Sequence, residues 1–155
     1  MLSSDEIIYN HLLQEKEDGN KLLQYFHISY PSKDIARESN TIYVATVSSE
    51  PENETHTGTE YRDLIEILVA TKIRDYHRAV TVVKTVIREI IRLIKECPAF
   101  VTRPVIRNIA PEYNQDFVLT KGHIMVECLT PVEDYNTPEI FDRVCKILDG
   151  DIEVK

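Results

Sequence analysis

The fold is decided by a stretch that begins at Tyr76, ends at Cys97 and reads YHRAVTVVKTVIREIIRLIKEC. At roughly 100° per residue, its apolar side chains fall on an arc of about 160°, and its basic side chains fall on the opposite side. The apolar set is Ala79, Val80, Val83, Val86, Ile87, Ile90, Ile91, Leu93, Ile94 and Cys97. The pattern predicts a helix that starts at Asp75 or Tyr76 and is closed by Pro98. So wide an apolar face is typical of a helix that packs on a sheet rather than along a narrow coiled-coil seam.

Two β-rich segments precede this helix. Thr41–Val47 is rich in β-branched and aromatic residues and predicts a strand, and Tyr61–Thr71 predicts a second one with apolar groups on both faces. The polar stretch 48–60 between them contains no aliphatic side chain and predicts a long hairpin loop. Loops of that length are uncommon unless they are functional or disordered. Two interpretations of this loop remain open: it becomes ordered when it binds a partner, or it is disordered and has no function.

The N-terminal segment predicts a helix. Ser3 and Glu6 have the spacing of a capping box, which opens a helix from about Asp5 to Asp18, and Gly19 is a natural stop. Residues 20–40 are mixed in character, which is compatible with a short strand or with irregular packing.

The C-terminal half predicts two further strands and a last helix. Val101–Ala110 and Phe117–Leu129 indicate strands, with a turn at Pro111–Gln115 between them. Pro138–Asp149 indicates a helix that Gly150 ends. The sequence therefore predicts one α+β domain over residues 1–155: a mostly antiparallel sheet with a long amphipathic helix packed on one face, plus N- and C-terminal helices.

Composition restricts the classes of function. The 155 residues carry 18 basic and 26 acidic side chains, for a net charge of −8, which argues against tight binding to nucleic acid. Cys97, Cys128 and Cys145 are too widely spaced for a cysteine zinc site. Met1–Glu6 lacks the basic start and apolar stretch of a signal peptide, and no apolar run approaches the roughly 20 residues that span a bilayer. We expect no membrane association and synthesis in the cytosol.

No motif for catalysis or for a cofactor stands out. HExxH and GxSxG are absent, and four glycines cannot assemble a P-loop or a dinucleotide fingerprint. The two weak candidates are a metal site with Glu54 and His56 as ligands and a carboxylate pair drawn from the strands. The strand carboxylates are Asp63, Glu66, Asp116 and Glu127. Solvent-facing placement explains both sets more simply, so we predict no catalytic residue, no cofactor and no metal.

Two charge patterns predict interaction surfaces instead. The basic stripe of the long helix is suited to an acidic neighbour or to another copy of the chain, and the acidic hairpin loop is suited to an arm that orders on a partner. A plain solvated surface remains the alternative for each. The candidate interface residues are Glu50, Glu52, Glu54, His56, Lys84, Arg88, Arg92 and Lys95.

The stretch Ile42–Glu96 has a recognisable order: a strand, then SSEP at 48–51, a polar loop ending in HTG at 56–58, YRDLIEI at 61–67, and the long helix. With the preceding helix and the following strands, it resembles the tail terminator (tail completion) proteins of long-tailed viruses of bacteria and archaea. The resemblance covers roughly residues 1–130 and is one of element order and character. The C-terminal helix is less typical of that family.

The resemblance implies a structural protein of the virion tail or neck, assembled in the host cytoplasm, and not an enzyme. Such proteins form a ring, usually a hexamer, that sits on the last ring of tail-tube protein, stops tube polymerisation and presents a surface to the head-completion or connector protein. The hairpin loop would reach a neighbouring subunit or the tube, and DNA would pass through the ring without specific binding. The alternatives are another neck or head-completion protein and, from a different class, a small metal-dependent enzyme that uses Glu54 and His56.

Overall fold

The long helix, α2, spans Tyr76–Glu96, in close agreement with its predicted bounds. The structure is a computed structural model and describes residues 3–31, 40–54, 59–100, 102–107, 113–115, 120–132 and 138–154. Asp75 caps α2 because its carboxylate accepts a hydrogen bond from the backbone N–H of His77 at 3.1 Å. The helix ends before Pro98, whose ring and missing N–H prevent its continuation.

One side of α2 is buried against a β-sheet. The buried side chains of the helix are Ala79, Val83, Val86, Ile87, Ile90, Leu93 and Ile94. All of them are at most 2% exposed, and they share one core with fully buried aliphatic side chains of the sheet such as Ile67 and Ile124. The wide apolar arc of the sequence therefore seats on a sheet, as its width predicts.

The sheet contains six strands among the described residues. They are β1 (His27–Ser29), β2 (Asn40–Glu54), β3 (Thr59–Thr71), β4 (Val105–Ile106), β5 (Tyr113–Gln115) and β6 (Thr120–Val132). Their order is β1-β2-β3-β6-β4, and β5 also pairs with β6. β1 runs parallel to β2, whereas the other pairs are antiparallel, so the sheet is mixed. Together with the helices it gives the chain a mixed α+β fold.

The first helix, α1, spans Ser4–Glu17 and lies on the same side of the sheet as α2. Ile8 and Leu12 are buried in the shared core. The His11 ring donates a hydrogen bond from Nε2 to the backbone carbonyl of Leu93 at 3.0 Å, which ties α1 directly to α2. Both helices therefore cover one face of the sheet, which we call the inner face.

The ends of α1 agree only in part with the predicted signals. Gly19 has a φ of +95° just after the helix, the left-handed conformation that makes glycine a natural stop. Ser3 has the extended backbone of a capping residue, but its hydroxyl donates to the Glu6 carboxylate at 3.0 Å instead of accepting from a backbone N–H. The predicted capping box is therefore incomplete.

The prediction of a polar hairpin loop over residues 48–60 is wrong at both ends. β2 continues to Glu54 and β3 begins at Thr59, and the two stay paired through this region, for example Glu50 with Arg62. Two register shifts, between Thr46 and Ser48 and between Pro51 and Asn53, allow polar residues and a proline to remain within the paired strands. Residues 55–58 lie outside the described part of the chain.

The later strands also differ from their predicted bounds. β4 is only two residues long because Pro104 delays its start, and residues 101 and 108–110 of the predicted strand lie outside the described part. The end of the predicted turn, Tyr113–Gln115, is strand β5, which pairs with the start of β6. β6 extends to Val132, beyond its predicted end at Leu129, because it stays paired with the hairpin extension up to Thr59.

The last helix, α3, spans Pro138–Val154 and does not end at Gly150 as predicted. A glycine inside a helix costs only about 1 kcal/mol relative to alanine, so it does not by itself stop one. The helix therefore passes through Gly150 and is longer than the predicted 138–149.

We predict that Ile90→Ala will lower the free energy of unfolding by about 2–5 kcal/mol, because it leaves a cavity between α2 and the sheet. The matched control is Arg88→Ala on the exposed side of the same helix, which should change it by no more than about 0.5 kcal/mol. Urea titration followed by circular dichroism measures both. Equal effects of the two substitutions would contradict the seating of α2.

Candidate functional site

The hairpin of β2 and β3 ends in a polar extension. Ser49, Glu50, Pro51 and Glu52 are all exposed on β2. Arg62 on β3 forms an ion pair with Glu52 across the hairpin. The extension is therefore a paired two-stranded element with an acidic edge, not a loose loop.

A chain of ion pairs continues from the hairpin across the sheet. The Nε atom of Arg62 lies 3.0 Å from Oε1 of Glu127 on β6, and the other oxygen of Glu127 contacts Arg107, just after β4. Glu127 is only 15% exposed, whereas Arg107 is 58% exposed. Partly exposed pairs of this kind stabilise a fold by no more than about 1 kcal/mol each. They do orient the charged side chains that this face of the sheet presents.

These ion pairs lie on the face of the sheet opposite to α1 and α2, which we call the outer sheet face. Side chains alternate between the two faces along a strand, so on β3 the buried Ile65 and Ile67 face the helices, and Leu64, Glu66 and Leu68 face outwards. The register places apolar neighbours from other strands beside them. The apolar residues of the outer sheet face are Tyr43, Leu64, Leu68, Val105, Met125 and Leu129.

The outer sheet face combines these apolar side chains with a carboxylate. The Tyr43 hydroxyl donates to Glu66 Oε1 at 3.3 Å. Partial burial, followed by the charge of Glu66, raises the pKa of the Tyr43 hydroxyl, so it remains a donor at neutral pH. Val105 is 55% exposed at the β4 edge of this face. Within the described residues no helix covers the outer sheet face.

The interface residues predicted on the hairpin fall into two groups. Glu50 and Glu52 lie exposed on the hairpin extension, and Glu52 is paired with Arg62. The backbone of Glu54 ends β2, but its side chain, like the whole of His56, lies outside the described part. The proposed metal pair of Glu54 and His56 therefore stays an untested prediction.

The four basic interface residues, Lys84, Arg88, Arg92 and Lys95, are all exposed on α2. Arg92 is held by carboxylates of its own helix: its Nε lies 2.6 Å from Glu89 and its Nη1 lies 2.8 Å from Glu96. The hydrogen bond from Arg92 lowers the pKa of the Glu89 carboxyl, despite partial burial. The net positive charge of the stripe is therefore smaller than its arginines and lysines suggest. The spacing of three and four residues from Arg92 to Glu89 and Glu96 could have indicated this.

The carboxylates of β3 do not pair with each other, whereas any pair with Asp116 stays an untested prediction. Asp63 lies on the inner face and Glu66 on the outer sheet face, so the sheet separates them. Glu127 is bound by two arginines, and Asp116 lies outside the described part. Across the residues that the structure describes, no cluster of three or more metal-ligating side chains is present.

A buried polar cluster on the inner face was not predicted from the sequence. The Asp63 carboxylate, 9% exposed, accepts a hydrogen bond from the Ser4 hydroxyl at 3.0 Å and one from the Ser49 hydroxyl at 2.5 Å. Cys128 is the cross-strand partner of Asp63. Burial, and then the charge of Asp63, raises the pKa of the Cys128 thiol to about 12, so it is not a thiolate nucleophile at neutral pH.

The helix α3 carries a second surface that the fold leaves exposed. Its apolar side chains Phe141, Val144, Ile147 and Leu148 are 45–56% exposed. Arg143 lies 3.9 Å from Glu6 on α1, which brings α3 to the inner side of the sheet. The sequence predicts a helix here, but it does not show that these apolar side chains are exposed.

The comparisons with known proteins add no relative. No protein-family model matches the chain, and no curated protein sequence matches it. Among the described helices, none is both long and apolar enough to cross a membrane. The surfaces above are therefore interpreted from their own chemistry.

We predict that Asp63→Ala will lower the free energy of unfolding by about 1–3 kcal/mol, because it removes the acceptor of two hydroxyls that bind α1 and β2 to β3. Glu50→Ala is the matched control, since it removes an exposed carboxylate one residue from Ser49. Urea titration of both variants compares them. A loss no larger than that of the control would show that the cluster is dispensable for stability.

Proposed function

We propose that this chain is a tail terminator: a structural virion protein that forms a ring, usually a hexamer, on the end of the tail tube. The ring ends tube polymerisation and offers its other side to the head-completion or connector protein. The observation that carries the proposal is the division of the sheet into an inner face covered by helices and an outer sheet face that continues into an exposed hairpin.

The arrangement of elements supports this proposal. A mostly antiparallel sheet with one long helix seated on one face, preceded by a helix and a hairpin, is the order that the resemblance of Ile42–Glu96 implies. A subunit of a ring needs at least two surfaces for its neighbours and one for the tube. The outer sheet face, the bare side of α3 and the hairpin extension are three such surfaces, and each lies on a different part of the chain.

The hairpin extension is the proposed contact to the tube or to the adjacent subunit. Because β2 and β3 are paired as far as Glu54 and Thr59, the extension can carry its exposed acidic side chains away from the core without first ordering a loop. A preordered arm loses less conformational entropy on binding than a disordered one. Glu50 is the acidic residue of this arm that the structure describes as exposed and for which no ion pair is seen among the described residues.

The charge of the chain is compatible with a channel for DNA. A net charge of −8 does not favour the phosphate contacts that hold DNA in place. DNA would therefore pass through the ring without specific binding.

Electron microscopy and native mass spectrometry of the purified chain test the proposal, first alone and then with tail tubes of the virus that encodes it. We expect a closed ring, or a ring that forms on tubes, at one end of each tube and a halt in tube growth. A protein that stays monomeric and never binds tube ends would overturn the proposal. Binding only to head connectors would favour another neck protein instead.

We further predict that Glu50→Lys will weaken capping of tail tubes by ~tenfold, the effect of about 1.4 kcal/mol at a charged contact. The matched control, Glu17→Lys at the exposed end of α1, makes the same change of charge away from the hairpin. Counting of capped tubes against protein concentration measures both. Equal capping by the two variants would exclude the hairpin as the contact.

A further inference from the structure

The chain presents two surfaces of complementary kind: a helix with an exposed apolar side and a sheet face that no helix covers among the described residues. The apolar side of α3 is formed by residues that are 45–56% exposed, and Val105 on the outer sheet face is 55% exposed. Exposed apolar patches of this kind mark interaction sites. Helices pack on sheets in α+β proteins, so each surface is the kind of partner that the other lacks.

The outer sheet face carries opposite charges on the two sides of an apolar centre. Glu66 on β3 is the cross-strand partner of Met125 on β6, and the backbone N–H of Arg107 donates to the Met125 carbonyl at 2.8 Å. The three residues thus form one row across neighbouring strands, about 10 Å from end to end. The Glu66 carboxylate lies at one end of the row, and the Arg107 guanidinium lies at the other, where it also contacts Glu127 but stays 58% exposed.

The helix α3 has the complementary order of charges. At roughly 100° per residue, Arg143 lies beyond one edge of its apolar side, and Asp149 lies beyond the other. The helix is about 10 Å across. Its two charged edges therefore have the spacing of Glu66 and Arg107 on the sheet.

We infer that the apolar side of α3 in one copy of the chain lies along the outer sheet face of a second copy. In this contact Arg143 faces Glu66, and Asp149 of the other edge faces Arg107. Arg143 is 68% exposed, so its guanidinium remains accessible for the contact. Both surfaces belong to one chain, and the occupant is therefore another copy of the protein itself.

The same chain cannot make this contact with itself in the arrangement seen. The ion pair of Arg143 with Glu6 brings α3 to the side of the sheet on which α1 packs. The outer sheet face lies on the opposite side, with the sheet between them. The contact must therefore form between two copies.

A contact of a helix on a sheet joins two different surfaces, so it is heterologous. Repetition of a heterologous contact closes into a ring when the rotation permits and forms a filament otherwise. The inference rests on the self-association part of the proposed function, and it does not depend on a tail tube. It assigns the subunit contact to α3 and to the outer sheet face, neither of which was among the residues predicted from the sequence.

Two single variants test the inference, one on each surface. Leu148→Glu places a charge on the apolar side of α3, and Val105→Glu does so on the outer sheet face; both positions are more than half exposed, so the fold should tolerate the change. Lys146→Glu is the control, because it introduces the same residue on the opposite side of α3. Urea titration verifies that every variant is folded, and native mass spectrometry measures its association.

We expect the unaltered chain and the Lys146→Glu control to assemble, and each of the two test variants to associate at least ~tenfold more weakly. An equimolar mixture of Leu148→Glu and Val105→Glu should form heterodimers that grow no further. In this pair the intact helix of the second variant can still lie on the intact sheet face of the first. Restoration of one contact by mixing is expected only if the contact joins these two different surfaces.

The exposed thiol of Cys145 on α3 gives a second readout, since Cys97 and Cys128 are buried. A thiol reagent should modify Cys145 slowly in the assembled protein and rapidly in Leu148→Glu. This measurement detects protection of α3 directly, and it does not require that a variant assemble.

Three results would overturn the inference: a monomeric unaltered chain, assembly of both test variants like the control, or loss of assembly in Leu148→Glu but not in Val105→Glu. The last result would indicate that α3 pairs with another α3. Failure of the inference and failure of the proposed function are distinguishable. If rings persist in both variants, only the inferred contact is refuted. If the chain assembles through this contact but does not cap tubes, only the proposed tail terminator function is refuted.

Discussion

The seating of α2 on the sheet is the contact on which the rest of the structure depends. Its apolar arc is wide enough to cover β3 and β6 together, and α1 completes the layer beside it. All the described helices that contribute to the buried core therefore lie on one face. For the described residues the molecule is therefore asymmetric: no helix covers the second face of the sheet, which can meet water or a partner. The mixed character of the outer sheet face, with leucines beside ion-paired carboxylates, is suited to both states.

The bulge in β2 connects this core to the hairpin extension. The register shift between Thr46 and Ser48 reverses the alternation of side chains, so that Ser49 points to the inner face and reaches Asp63. The same carboxylate holds Ser4 at the start of α1. One buried acid thus fixes the helix layer and the hairpin relative to each other. Without it, the polar strands beyond the bulge would be connected to the rest of the sheet by their backbone ladder and by the ion pairs of Arg62.

The sequence predicts those elements in which the pattern of apolar and polar side chains reflects burial on one side. The period of apolar residues in α2 follows directly from burial on one side, and its bounds follow from Asp75 and Pro98. The sequence does not predict the hairpin extension, because its strands are held by backbone hydrogen bonds and ion pairs. The pattern of apolar residues does not reflect either kind of interaction. The strand end at Glu54 therefore resembles a loop in the sequence, although its backbone is paired. The end of α3 was missed for a different reason, since one glycine is too weak a signal to stop a helix.

The same distinction explains why the outer sheet face is a better candidate interface than the charged stripe of α2. Charges that cluster along one helix, such as Arg92 with Glu89 and Glu96, are close enough to neutralise one another. On the outer sheet face, by contrast, an apolar side chain of another strand separates Glu66 from Arg107, although Arg107 also contacts Glu127. Glu66 and Arg107 are 41 positions apart in sequence, yet Met125 brings them into one row. No local pattern contains that row, because the register of three strands creates it. In the proposed assembly, such a row of charges would contribute to the specificity of the contact.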